Sequence, residues 1–169
     1  MTEEQGYYEV GLSRNTVYVR VIGLATMYNA ACVRDFVERL LAEGYHRVLF
    51  DLERCAGMDS TFMGVLAGVA TFEGPNGSPQ VTVLNADPSN VGLLEGVGLT
   101  HLLQLHRGHV DAPDIDLVSL RERTREEDRM ELVRDAHERL IEVNPKNEAA
   151  FGAFLQALKL QMDADHRSA

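Results

Sequence analysis

The feature that most constrains the fold of this chain is a regular alternation of strand and helix patterns over residues 7 to about 110. Residues 48–52 form a short run that is apolar on both faces, which is typical of a central strand covered by helices on both sides. Val17, Val19 and Val21 alternate with other residues and predict a second strand. Between these strands, the apolar residues from 33 to 41 recur at helical spacing. Strand-helix-strand units predict an α/β fold with a mixed, mostly parallel sheet flanked by helices.

Other segments continue this pattern. Residues 7–12 predict a weaker first strand, residues 59–72 a largely buried helix, and residues 81–84 and 102–105 two further strands. Asn29 is the predicted cap of the first helix, and Asp87 followed by Pro88 predicts the start of a short third helix. The expected order is therefore strand, strand, helix, strand, helix, strand, helix, strand.

The composition changes after about residue 110, so we divide the chain into a domain at 1–110, a charged linker or solvated helix at 111–129, and an amphipathic helical hairpin at 130–169. Thr124 and Glu127 fit a capping box, and Asn144-Pro145 separates the two helices of the hairpin. The apolar stripes of these helices are too small to form a core alone. We expect them to pack against a second copy, giving a homodimer; the alternative is that they cover their own domain. The stripes are Met130, Val133, Leu140 and Ile141, then Phe151, Phe154, Leu155 and Leu158.

The charge balance narrows the range of partners. With 16 Lys and Arg against 26 Asp and Glu, the net charge is −10, which disfavours nucleic acid and anionic membranes as partners. Two cysteines and an N-terminus (residues 1–4) without signal-peptide character predict a cytoplasmic protein. No metal-ligand pair or catalytic motif stands out, so we predict no metal, no cofactor and no enzymatic activity.

The segment with the most specific chemistry lies where a strand gives way to the second helix. Ser60 is predicted at the N-terminus of that helix, where backbone N–H groups lack partners within the helix. One interpretation makes Ser60 a helix cap, worth about 1 kcal/mol. The other makes it a phosphorylation site, because a helix N-terminus tolerates a phosphate that still reverses the character of the surface.

The same segment resembles the motif of the STAS domain family, which includes anti-sigma factor antagonists and sulfate transporters. The family pattern, Met-Asp-Ser-Ser/Thr-Gly-Leu-Gly at the start of the second helix, is matched at five positions by Met58-Asp59-Ser60-Thr61-Phe62-Met63-Gly64. The resemblance extends through residues 81–88 and 97–103 and covers about residues 7–110. Phe62 replaces the usual Gly, and Gly23-Leu24-Ala25-Thr26 replaces an acidic Gly-Glu-Leu-Asp loop that lies near the phosphorylation site in the family.

This resemblance implies a regulatory binding protein. In the anti-sigma factor antagonists, the serine after the aspartate is phosphorylated by a partner kinase, so Ser60 is the implied phosphorylation site. The implied partner is an anti-sigma factor or serine kinase that binds the unphosphorylated protein and releases it on phosphorylation. The expected contact residues are Met58, Asp59, Thr61, Phe62 and Met63. The alternatives are a scaffold subunit of a stress-sensing assembly, or a small-ligand (lipid) carrier with the same fold.

Overall fold

The computed structural model describes residues 5–169 and contains seven strands and five helices. Residues 1–4, on which the signal-peptide prediction depends, lie outside the described part. The strands are β1 Tyr7–Ser13, β2 Thr16–Ala25, β3 Arg47–Asp51, β4 Cys55–Met58, β5 Gln80–Leu84, β6 Gln104–Leu105 and β7 Val118–Leu120. The helices are α1 Ala30–Ala42, α2 Ser60–Ala70, α3 Pro88–Gly96, α4 Glu126–Val143 and α5 Glu148–Ser168.

The strands form one mixed sheet in the order β6-β5-β3-β2-β1-β7, with β4 paired to the end of β2. β3 lies between β2 and β5, and it is parallel to both, while β1 is antiparallel to β2 and β7. The β3 residues Val48 and Phe50 are fully buried, as a central strand requires. The predicted α/β architecture with a C-terminal helical extension is therefore confirmed.

The helix starts differ from the predictions in one informative way. Asp87 caps α3 as predicted, since its side chain accepts a hydrogen bond from the backbone N–H of Asn90. The Asn29 side chain, in contrast, makes no cap bond to α1. Its carbonyl oxygen accepts from the Tyr8 hydroxyl, and its amide donates to the carbonyls of Gly6 and Leu24. Asn29 thus connects the residue before β1 to the end of β2, and its amide gives these two backbone carbonyls hydrogen-bond partners.

Four features of the sheet and linker differ from the predictions. β4 is a short strand within what was expected to be a loop, and residues 102–105 contain only the two-residue β6 after a 3₁₀ turn at Leu99–His101. β7 pairs with β1, so the charged linker is attached to the sheet edge rather than being a free spacer. The expected capping box is wrong: Arg125 occupies the N-cap of α4 without a side-chain bond, and Thr124 Oγ1 is buried without a partner among residues 5–169.

The C-terminal hairpin packs on its own domain. α4 lies along α2, and its buried face consists of Leu132, Val133, Ala136, His137 and Leu140, shifted slightly from the predicted stripe. The connection between α4 and α5 is fixed by Asn147, whose buried amide donates to the carbonyls of Leu140 and Val97. For α4, the structure therefore shows the intramolecular alternative; a homodimer through the hairpin stays a prediction.

α5 is the more exposed helix of the hairpin. Leu155 is its one buried residue, whereas Phe154 and Leu160 are 49% and 62% exposed. Lys159 pairs with Glu138 of α4 at 2.8 Å. Over residues 5–169, no helix combines the length and the apolar character needed to cross a bilayer.

Candidate functional site

The candidate site is the N-terminus of α2, which Asp59 organises. Asp59 Oδ1 accepts a hydrogen bond from the backbone N–H of Phe62 at 2.9 Å, so Asp59, and not Ser60, is the helix cap. Its Oδ2 accepts from the backbone N–H of Met27 at 2.9 Å, and its own N–H donates to the carbonyl of Ala25. The carboxylate therefore joins the helix end to the end of β2 and the β2–α1 loop, where Gly23-Leu24-Ala25-Thr26 stands in place of the family's acidic segment.

Ser60 follows the cap as the first residue of α2, as predicted, but a second element covers it. Its hydroxyl lies 2.8 Å from Nε2 of His137, a residue of α4 that is 77 positions away in the sequence. His137 Nδ1 lies 2.6 Å from the carbonyl oxygen of Val133, which can only accept, so Nδ1 carries a proton. In the neutral imidazole, Nε2 then accepts the proton of the Ser60 hydroxyl. Ser60 is half-buried in this arrangement.

His137 is held firmly in this position. It is only 3% exposed, and the rings of Phe151 and Phe154 meet its ring edge-to-face at 5.0 and 5.2 Å between centroids. Both phenylalanines belong to α5, so both helices of the hairpin contribute to the covering of Ser60. In the sequence, His137 lies one helical turn after Val133 of the predicted apolar stripe, and no role is predicted for it. The available signal was a titratable side chain within an otherwise apolar helix face.

The residues predicted to contact a partner lie mostly in the interior. Phe62 is fully buried, stacked on Tyr8 and edge-on to Phe50, because α2 presents this face to the sheet. Thr61, Met63 and Met58 are also buried, whereas Asp59 is half-buried. In this arrangement Phe62 is a core residue, so any influence it has on a partner acts through the packing of α2. The contact roles of these residues stay predictions.

Close contact between α2 and α4 continues beyond Ser60. One turn further along α2, a Cβ atom on Gly64 would lie 2.5 Å from the Cβ of Ala136. Only glycine leaves room for α4 to approach this closely. At Gly68, another turn on, a Cβ would meet no atom within 4 Å, since the two helices have diverged there.

This divergence opens a cleft of about 460 Å³ between α1, α2 and α4. Gly64 and Gly68 lie at its floor, and its walls carry more acidic than basic side chains, among them Asp35, Glu38 and Glu131. Burial raises the pKa of Glu38. An acidic cleft is a poor environment for an anionic lipid head group, which weighs against the lipid-carrier alternative.

The two cysteines are free and carry no activated thiol. Burial raises the pKa of Cys32 to about 11 and also raises the pKa of Cys55. Thiols with raised pKa values are weak nucleophiles at neutral pH. Both therefore act as packing residues.

Comparisons with known proteins concern the domain that carries the start of α2. The STAS domain family matches residues 7–112. An anti-sigma factor antagonist from Mycobacterium paratuberculosis is 17% identical, with 63% of this chain and 90% of that chain covered and a TM-score of 0.53. A candidate anti-sigma factor antagonist from Thermotoga maritima is 14% identical, with 59% and 85% covered and a TM-score of 0.53. The anti-sigma factor antagonist SpoIIAA in its unphosphorylated form is 20% identical, with 63% and 90% covered and a TM-score of 0.49.

The comparison with curated protein sequences gave no match. The two structural matches with a TM-score of 0.53 support, at these identities, the fold alone. The matched region ends before α4, so the helix that covers Ser60 lies outside the family's domain. Because the family match spans more than half of the residues, this chain belongs to the STAS domain family.

Proposed function

We propose that this protein is a regulatory binding protein of the anti-sigma factor antagonist type, with Ser60 as its phosphorylation site. The observation that carries the proposal is the position of Ser60. Ser60 is the first residue of α2 and is half-buried. It directly follows Asp59, whose side chain caps the helix. Since Asp59 already caps the helix, the Ser60 hydroxyl is not needed for that role, and its one side-chain partner within residues 5–169 is His137.

A phosphate at this position is compatible with the domain. The N-terminus of a helix carries a partial positive charge and unpaired N–H groups, so it stabilises a dianion. The added charge would repel an acidic partner surface or remove a close contact, and either effect lowers affinity. The partner in this proposal is an anti-sigma factor with serine kinase activity, acting in the cytoplasm on a transcription-regulating signalling pathway.

The test is a comparison of two substitutions at Ser60 with a matched control. Ser60→Ala mimics the unmodified state, Ser60→Asp adds the charge, and Ser78→Asp adds the same charge in an exposed turn before β5. Candidate serine kinases and anti-sigma factors from the same cell are titrated into each variant by calorimetry. We expect the Ser60→Ala and Ser78→Asp variants to bind and Ser60→Asp to bind at least about 100-fold more weakly. Equal affinities for Ser60→Asp and Ser60→Ala would refute the proposal.

A second candidate, a scaffold subunit of a larger assembly, is favoured by the surface of α5. Phe154 and Leu160 expose large apolar side chains on a helix that otherwise has one buried residue. Such side chains serve self-association or assembly more readily than a switch.

A further inference from the structure

We propose that the C-terminal hairpin is a built-in cover of Ser60, latched by His137, and that a docked hairpin and a phosphate on Ser60 exclude each other. This inference rests on the proposed function only for the identity of Ser60 as the modified residue. The physical exclusion itself follows from the contacts between α2 and α4.

The space between Ser60 and His137 is too small for a phosphate group. The Ser60 oxygen and His137 Nε2 are joined at 2.8 Å, which is a full hydrogen-bond contact. A phosphorus atom with three further oxygens does not fit into that space. Phosphorylation therefore breaks the hydrogen bond between Ser60 and His137, whether His137 moves away or the Ser60 side chain turns to another rotamer.

The second step concerns what happens to His137 when its partner is lost. The imidazole is 3% exposed, its Nδ1 is committed to the Val133 carbonyl, and the rings of Phe151 and Phe154 surround it. Without the Ser60 hydroxyl, Nε2 becomes a buried acceptor with no donor in its place. An unsatisfied buried acceptor destabilises the closed arrangement, since it could bind water only after the hairpin opens.

The third step is that α4 cannot adapt by a small shift. Ala136 lies directly against Gly64, where even one added methyl group would overlap. At the other end of α4, Asn147 holds the hairpin turn to the Val97 carbonyl. Packed elements with such close contacts respond by separating rather than by deforming. The expected response is therefore local opening of α4 and α5 while the sheet stays folded.

The cover has a regulatory consequence. A kinase must reach the Ser60 hydroxyl, so it acts only on molecules in which the hydrogen bond to His137 is broken. Once phosphate is attached, the hairpin cannot return to the same position. Phosphorylation thus exposes α4, α5 and the face of α2 together. The hairpin, which lies outside the matched STAS region, then presents a surface that differs between the phosphorylated and unphosphorylated protein.

The test measures amide hydrogen exchange in the full-length protein with phosphoserine installed at position 60 by semisynthesis. Phosphoserine at position 78, an exposed turn residue, is the matched control for charge. We expect exchange in α4 and α5 to become at least about tenfold faster with phosphate on Ser60, with β2 and β3 unchanged and the control identical to the unmodified protein. Unchanged or slower exchange in α4 would overturn the proposal. That is the result to expect if the His137 imidazolium binds the phosphate and keeps the hairpin closed.

His137→Leu tests the latch from the other side, with His166→Leu on the exposed end of α5 as its control. It should accelerate exchange in α4 and α5, whereas His166→Leu should not. If His137→Leu does not fold, Ser60→Ala removes the same hydrogen bond and keeps the imidazole. The exchange experiment uses no kinase, so its result is independent of the binding test. If the hairpin opens but no kinase binds, only the proposed function is refuted. If a kinase binds but the hairpin stays closed, only the cover is refuted.

Discussion

Replacing Gly64 by alanine separates the intrinsic stability of α2 from its contact with α4. In a helix interior, alanine is favoured over glycine by about 1 kcal/mol. At Gly68 nothing lies within 4 Å of the added methyl group, so Gly68→Ala should be more stable than the unchanged protein by about this amount. At Gly64 the added Cβ would stand 2.5 Å from the Cβ of Ala136, and its backbone carbonyl is also in the way. Overpacking of this kind costs about 1–3 kcal/mol.

The two variants should therefore differ in stability. The free energy of unfolding of Gly64→Ala, measured by urea titration, should be about 1–3 kcal/mol lower than that of Gly68→Ala. The lower stability of Gly64→Ala should appear as faster hydrogen exchange in α4 and α5, since movement of α4 away from α2 relieves the overlap. If Gly64→Ala were as stable as Gly68→Ala and exchanged no faster in α4, the close contact between the two helices would be refuted.

Three further predictions concern the cap, a buried tyrosine and the oligomeric state. Asp59→Ala removes hydrogen bonds to the backbone of α2 and of the β2–α1 loop, so it should lower the free energy of unfolding by about 1–2 kcal/mol. Asp59→Asn keeps one acceptor oxygen and should lower it less. Urea titration compares the two variants. Burial, followed by its hydrogen bond to Asp51, raises the pKa of Tyr18 from 10.0 to about 12, so its stabilising contribution is complete below about pH 10 and is lost as the pH rises towards 12. The difference in unfolding free energy between the unchanged protein and Tyr18→Phe should shrink over that range, and a constant difference would contradict the assignment. Light scattering should give twice the 18.8 kDa chain mass if α5 forms a homodimer, and Phe154→Ser should reduce it; a monomer at every concentration would leave the hairpin as an intramolecular cover alone.

The parts of the fold that the sequence predicts are those whose pattern is local. β2, β3 and β5 follow from apolar runs and alternation, and α1 follows from a stripe at helical spacing. β4 has no such pattern, because Cys55–Met58 includes a glycine and only four residues. β7 forms because β1 offers an unpaired edge, which is a property of the sheet and not of residues 118–120.

The candidate site divides in the same way. The position of Ser60 at the start of α2 follows from the motif and from the strand before it. The contact with His137 spans 77 residues and depends on which surface the hairpin selects. An amphipathic stripe shows that a helix will be buried, but the stripe does not identify the surface that buries it. Glycine at position 64 permits a neighbouring element to approach closely, and in the structure that element is α4.

The most direct test of the account is to map phosphate on the protein after incubation with ATP and its partner kinase. We expect one phosphate on the peptide that contains residues 58–64, located on Ser60 and not on the adjacent Thr61, whose side chain is 3% exposed. The rate should increase in His137→Leu, because the cover is weakened, and phosphorylation should be absent in Ser60→Ala. Phosphate on Thr61, or full phosphorylation of the Ser60→Ala variant, would contradict the assignment of Ser60 as the switch.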